Sequence, residues 1–461
     1  MSKISWPFKV RKANKFALRE LDDSDFRALL VLVRDREKAR NGDARAKAVK
    51  RRLILRRRVK RRVPFSRTLL ISRFQECKML AALVPDREIR WRKITQRRSG
   101  GHLTCKEFSF IDNPLKTFES LKAIAVAECE RVNFRIDFLD EYVTDIGPYL
   151  VLGLMREKMA PLATGGGVHR RVVKVLEALR LREFLRMRSF GRVPMYDVWA
   201  FPLTRRRRAG STKTDNMAYE PSRVEITADG IAANVNNWLL ELTPPRELTD
   251  HGLAKIRATV GEILNNAERH GPVGGDGDWI TGGFMARRID RGGVTAHVCH
   301  LCFYNEGRTV AETINNGPRA VKAQIERYVA RHRKSGLSPE TLATVFALQD
   351  GISRVEQGDG QPSGGTGLMD VAEFVNEVGK LPIAGKSPKI ALISGRSYIK
   401  FDTPYLNGIV SGNTERRLQW FNVDNDVLKP PAETHVIDLP YALPGTLITM
   451  RFAIDGSFDG T

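Results

Sequence analysis

Cysteine is scarce in this chain of 461 residues: five are present, at Cys77, Cys105, Cys129, Cys299 and Cys302, odd in number and scattered. A disulfide framework is therefore not expected, and a reducing, cytoplasmic setting is. Long apolar runs are missing as well. No stretch approaches the ~20 residues a membrane helix needs, and the first twenty residues are basic without the apolar segment of a secretion signal. A secreted or membrane-spanning protein is thus not expected. Two catalytic signatures are also absent. No Gly-x-Ser-x-Gly accompanies a Ser-His-Asp set, and no Gly-x-Gly-x-x-Gly precedes an acidic ribose partner.

Acidic residues are in deficit, 53 against 76 Lys and Arg, for a net charge of +23. The excess is local: residues 1–62 hold 22 basic and 7 acidic side chains, a net +15. This reads as a basic helical arm attached to an ordinary body. Asp22-Asp23-Ser24-Asp25 offers helix-capping chemistry, and Phe26, Leu29, Leu30 and Val33 recur at helical spacing. The densest run, Lys47 to Arg62, either contacts a nucleic acid or another polyanion through phosphates, or stays solvated or packed on a partner. Four arginines, Arg205 to Arg208, lie in a polar stretch, Thr204 to Asn216, read as an exposed loop or linker, with a second phosphate-contacting patch as the alternative.

The body reads as α/β. His102 to Phe108 and Val132 to Phe138 alternate with the period of strands. Leu115 to Glu130 and Pro148 to Met159 carry helical patterns, and Val172, Val173, Val175, Leu176, Leu179 and Leu181 predict a further helix. Later, Lys255 to Arg269 and Pro318 to Arg333 predict helices, Thr295 to Tyr304 a strand, Asp370 to Val378 a helix and Leu447 to Phe452 a closing strand. The resulting division is a basic arm at 1–100, an α/β domain at 101–203, a linker at 204–220 and a second α/β domain at 221–455. Cys299-His300-Leu301-Cys302 does not read as a metal site, since residues three apart on a strand face opposite ways.

Four segments of the last region bear chemistry together. In Glu262-Ile263-Leu264-Asn265-Asn266-Ala267-Glu268-Arg269-His270-Gly271, Glu262 and Asn266 fall one helical turn apart. A carboxylate there can take a proton from water, and an amide oxygen can ligate Mg²⁺, a hard cation. Arg269 falls near the same face and can reach a phosphate. Phe303-Tyr304-Asn305-Glu306-Gly307-Arg308 puts a polar side chain at the end of an apolar strand. Gly358 to Leu368, including Gly364, Gly365, Thr366 and Gly367, places glycines ahead of a helix, where backbone N–H groups can face phosphate. Pro444-Gly445-Thr446-Leu447-Ile448-Thr449-Met450 alternates as a strand with Thr446 at its start.

In this order the segments resemble the GHKL superfamily of histidine-kinase-like, Bergerat-fold ATPases, closest to its anti-sigma kinase branch. The resemblance covers about Val224 to Ile454. It implies an α/β sandwich that binds ATP and Mg²⁺, with Glu262 as general base and Asn266 as the magnesium ligand. Arg269 would contact phosphate, Asn305 with Gly307 would bind adenine, Gly364, Gly365, Thr366 and Gly367 would hold the phosphates, and Thr446 would support adenine through water. Residues 317–363 would form a lid over the nucleotide. Two positions depart from the family pattern: its adenine-binding carboxylate is here the amide of Asn305, and its second glycine is Thr309.

The preceding domain resembles a STAS domain, with Val132 to Phe138 as its central strand and Val172 to Leu185 as its last helix. Aligning Asp137 and Asp145 on that family puts Ile146-Gly147-Pro148 where its phospho-acceptor serine stands, so no hydroxyl is available. The expected function is a regulatory ATPase whose lid closure controls a protein partner or nucleic acid, in bacterial stress signalling or anti-phage defence, as a monomer or an oligomer. Two alternatives stay open: a protein-serine kinase acting on a separate STAS-type partner, and a low-turnover nucleotide sensor docked on nucleic acid.

Overall fold

The computed structural model describes residues 73–93, 100–188, 193–194, 197–206, 219–242, 245–269, 278–289, 295–349, 367–378, 387–403, 405–406, 409–410 and 417–454. The Lys47 to Arg62 run, the helix expected from Asp22 onward, Arg207, Arg208, His270, Gly364, Gly365 and Thr366 lie outside the described residues. The fold is mixed α/β, and the chain divides into two compact units. No helix of the described residues is long and apolar enough to cross a membrane.

The first unit comprises Met1–Lys106, Phe118–Asp140 and Leu152–His169. Its elements are α1 (Lys78–Leu83), α2 (Arg87–Arg92), β1 (His102–Cys105), most of α3 (Pro114–Glu130), β2 (Arg135–Phe138) and the end of α4 (Gly147–Lys158). Strands β1 and β2 pair in parallel, His102 opposite Arg135 and Cys105 opposite Phe138. A buried ion pair ties α2 to α3: Arg87 Nε and Nη2 donate to the two Glu128 oxygens at 3.0 and 3.1 Å, and Arg87 Nη1 donates to the Gln75 carbonyl at 2.7 Å. Glu128 also accepts from Ala160 N at 3.1 Å. Removing either partner would leave a buried charge uncompensated, which costs about 3–5 kcal/mol. Residues 73–93, expected as part of a basic arm, thus contribute Met79, Leu80, Leu83 and Trp91 to a buried core.

The second unit comprises Glu107–Thr117, Glu141–Val151 and Arg170–Thr461. In order it contains α5 (Arg170–Ala178), α6 (Leu181–Phe184), β3 (Val198–Arg206), β4 (Glu220–Ser222), α7 (Val224–Leu240), α8 (Asp250–Arg269), β5 (Asp278–Ile289) and β6 (Thr295–Glu306). After these come α9 (Val310–Asn315), α10 (Arg319–Arg331), α11 (Pro339–Ala347), α12 (Gly367–Val378), β7 (Lys389–Phe401), β8 (Ile409–Val410), β9 (Arg417–Leu418) and β10 (Val436–Ile454). The main sheet has six strands in the order β4-β3-β5-β6-β10-β7. The long strands β5, β6, β10 and β7 are mutually antiparallel neighbours.

Alternation along these strands assigns the two faces. Cys299, Leu301 and Phe303 of β6, Met450 and Phe452 of β10 and Ile390 and Leu392 of β7 join one core with helix residues Ile256, Val260, Leu264 and Ala267 of α8 and Val371, Ala372 and Val375 of α12. The opposite face is gripped by residues 107–117 and 141–151. Asp145 is fully buried, and its Oδ2 accepts from Phe110 N at 2.8 Å and Ile111 N at 3.3 Å. Its Oδ1 accepts from Gly147 N at 2.8 Å and from the Thr449 hydroxyl at 2.6 Å. Arg451 donates to both Asp112 oxygens at 2.7 and 2.9 Å, and the Tyr398 hydroxyl donates to Ile111 O at 3.1 Å.

Two local expectations change. The helix expected across Val172 to Leu185 is broken at Arg180, whose φ of +59° is left-handed, so the chain turns between α5 and α6. The loop expected from Thr204 begins instead as strand: Thr204, Arg205 and Arg206 lie in β3. Acidic partners make that run of charge tolerable. Arg205 donates to Asp278 at 2.8 Å, and Arg206 pairs with Glu268 at 2.7 and 3.0 Å.

Candidate functional site

Helix α8 owes its order to apolar residues at helical intervals, with Ile256, Val260, Leu264 and Ala267 buried against the sheet. Its flank carries Glu262 and Asn266, both half-buried, and Arg269, which is exposed. The end of the helix is fastened: Glu268 accepts from Trp279 Nε1 of β5 at 2.9 Å while pairing with Arg206 of β3. The stripe of Glu262, Asn266 and Arg269 therefore sits on a helix whose last turn is pinned to the sheet.

Helix α12 packs on α8. Lys255, in the second turn of α8, bonds Glu377, in the last turn of α12, at 2.6 Å. Of the glycine-rich residues expected to hold phosphate, only Gly367 is described; Gly364, Gly365 and Thr366 precede it outside the described residues.

The remaining predicted residues meet on the sheet. Asn305 is opposite Thr446 in the β6–β10 pairing, and Thr446 is opposite Ser394 in the β10–β7 pairing. By alternation all three lie on the face that carries α8 and α12, beyond Phe303, Ile448 and Leu392. They form a polar row at the end of an otherwise apolar surface. Asn305 Oδ1 accepts the Thr446 backbone N–H at 3.0 Å. Ser394 Oγ lies 2.9 Å from Thr446 Oγ1 and accepts the N–H of Val310, the first residue of α9, at 2.8 Å. Thr309 caps α9 through a reciprocal box with Glu312, at 3.1 Å from Glu312 N to Thr309 Oγ1 and 2.8 Å from Thr309 N to Glu312 Oε2. Thr309 thus works as a helix cap, which a threonine does and a glycine does less well.

Gly307 comes next to this row by close backbone approach. Gly445 has φ of +94°, and a Cβ there would fall 1.9 Å from Asn305 O and 2.8 Å from Gly307 N. Only glycine permits that approach. Ser394 was not legible as a site residue, because a serine in the run Ile390-Ala391-Leu392-Ile393-Ser394 carries no motif; its one signal is a hydroxyl interrupting a buried apolar strand.

Among the described residues no three His, Cys, Asp or Glu side chains gather as a metal site. The Cys299-His300-Leu301-Cys302 run divides between the faces, with Cys299 in the helix-side core and His300 on the other side, accepting from Arg288 Nη2 at 3.2 Å and stacked on Phe284. The chain matches no protein-family model, no curated protein and no solved structure.

Proposed function

We propose that the second unit is a Mg²⁺-dependent nucleoside-triphosphatase of the GHKL, Bergerat type, taking a purine nucleoside triphosphate. Its nucleotide state would regulate contact with a protein partner or nucleic acid in the cytoplasm. The observation that carries this reading is the alignment of Asn305, Thr446 and Ser394 across adjacent strands, at the end of the apolar sheet face on which α12 and α8, the helix bearing Glu262 and Asn266, both pack. A flat base fits against a polar row ending an apolar sheet, and its phosphates would extend toward Gly367, Asn266 and Arg269.

Each residue has a task suited to its chemistry. Glu262, half-buried, holds a water and takes its proton. Asn266 offers one neutral oxygen to a hard cation. With no metal-holding group of His, Cys, Asp or Glu among the described residues, the other oxygens around Mg²⁺ would come from phosphate and water, the usual pattern for this ion. Bound Mg²⁺ would neutralise phosphate charge. Arg269 is exposed at the end of α8 and free of the Glu268 pairing, so it can turn toward phosphate. Residues 101–203, which hold the parallel β1–β2 pair, are proposed as the STAS-like adaptor. Asp145 and Gly147 start α4 with a closed set of hydrogen bonds where that family has its acceptor serine, so phosphoryl transfer to this chain's own domain is not part of the proposal.

The test is triphosphate binding and phosphate release by the full chain with Mg²⁺, in wild type and Glu262→Ala. The expected outcome is retained binding and phosphate release reduced at least ~10²-fold in the variant. A wild-type chain that binds no nucleoside triphosphate would overturn the reading. Release unchanged in the variant would remove Glu262 as the base.

A further inference from the structure

The hydrogen-bond directions in the polar row decide which base edge it can meet. Asn305 is only 9% exposed. Its Oδ1 faces the Thr446 N–H at 3.0 Å, and since a backbone N–H can only donate, the atom facing it must be the oxygen. The amide nitrogen, with two hydrogens, then points away from Thr446. It bonds to none of the described residues and is not among their fully enclosed, unbonded side-chain nitrogens and oxygens, so it is the solvent-reached end of the side chain.

The Thr446 hydroxyl can be directed in the same way. Ser394 is wholly buried, and its oxygen already accepts the Val310 N–H at 2.8 Å. Its own hydrogen needs an acceptor, and the one within bonding distance among the described residues is Thr446 Oγ1 at 2.9 Å. Ser394 therefore donates and Thr446 accepts. The Thr446 hydrogen is left to turn outward, and Thr446 is half-buried, so it can reach a ligand. The row displays two adjacent donors, the Asn305 amide nitrogen and the Thr446 hydroxyl.

Resting on the nucleotide-site reading, we infer that this site selects purine nucleotides with an oxygen at the six position, of the guanosine or inosine type, over adenosine nucleotides. A 6-oxopurine offers two neighbouring acceptors, O6 and N7, that match two donors. Adenine places an amino donor at position six. An asparagine reads adenine by using its oxygen and nitrogen together, and here one lone pair of that oxygen is engaged by the backbone while the nitrogen faces outward. A free nitrogen set against the adenine amino group leaves two donors opposed.

The experiment is equilibrium binding of GTP, ITP and ATP to the full chain, with Asn305→Asp alongside and circular dichroism to establish that the variant folds. The expected result is GTP and ITP binding about five-fold tighter than ATP or more, the lower end of discrimination by one matched base contact. Asn305→Asp keeps an acceptor for Thr446 N–H and replaces the outward donor with an acceptor, so it should reverse the order in favour of ATP. Weaker binding of 7-deaza-GTP than of GTP would report the Thr446 contact. ATP bound as tightly as GTP and ITP, or an order unmoved by Asn305→Asp, would overturn the base assignment while leaving the triphosphate site standing. No binding of any of the three would instead fail the nucleotide reading itself.

Discussion

Gly445→Ala and Gly261→Ala make the same chemical change and should have opposite effects. At Gly445 the added methyl would lie 1.9 Å from Asn305 O, where ordinary van der Waals contact begins near 3.4 Å, so the strands must part by about 1.5 Å. The φ of +94° adds roughly 1–2 kcal/mol of strain for any residue with a Cβ. Parting the strands there breaks the Asn305–Thr446 bond, worth ~0.5–1.5 kcal/mol net. With overpacking at ~1–3 kcal/mol, the substitution should cost roughly 2.5–6.5 kcal/mol. Gly261, in the middle of α8, has nothing within 4 Å of its would-be methyl, and alanine there should stabilise by ~0.5–1 kcal/mol. Chemical denaturation of both variants with an unchanged slope measures the difference. Gly445→Ala should also weaken triphosphate binding, since it displaces Asn305, whereas Gly261→Ala should retain it. A Gly445→Ala chain of wild-type stability would refute the close approach of β10 to Asn305 and Gly307.

Asp145→Ala should cost about 3–6 kcal/mol, because it strands the buried N–H groups of Phe110, Ile111 and Gly147 while the Thr449 hydroxyl can rotate; a midpoint of unfolding equal to wild type would contradict that role. Burial, with Arg288 and Arg451 nearby, holds His300 well below the usual histidine range, so it stays neutral when folded. The unfolded chain protonates below about pH 6.5 and there binds the extra proton, so stability should fall as pH drops through that value. His300→Gln keeps an acceptor for Arg288 and should flatten the pH 5–6.5 part of the stability profile relative to wild type.

Much of the architecture was legible because hydrophobic spacing records it. The stripe of Ile256, Val260, Leu264 and Ala267 marks α8, and the alternation from Leu447 to Phe452 marks the core of β10. Strands β5 and β7 were less legible. Buried on both faces, they read as near-continuous apolar or glycine-containing runs with no alternation to detect. Helices α9 and α11 are short and owe their starts to the Thr309 and Ser338 caps, which only the fold distinguishes from turn residues.

The candidate site divides along the same line. Residue type and order along the chain select Glu262, Asn266, Asn305, Gly367 and Thr446, because those chemistries are local to short motifs. Tertiary structure alone decides that Asn305, Thr446 and Ser394 stand side by side, since their register joins positions far apart in the chain. It also decides which end of the Asn305 amide is presented. An amide has no preferred direction until a neighbour takes one side, and that neighbour is a backbone N–H on another strand. Composition specified which groups are available; the pairing of β6, β10 and β7 determined which of them still have hydrogen bonds to give.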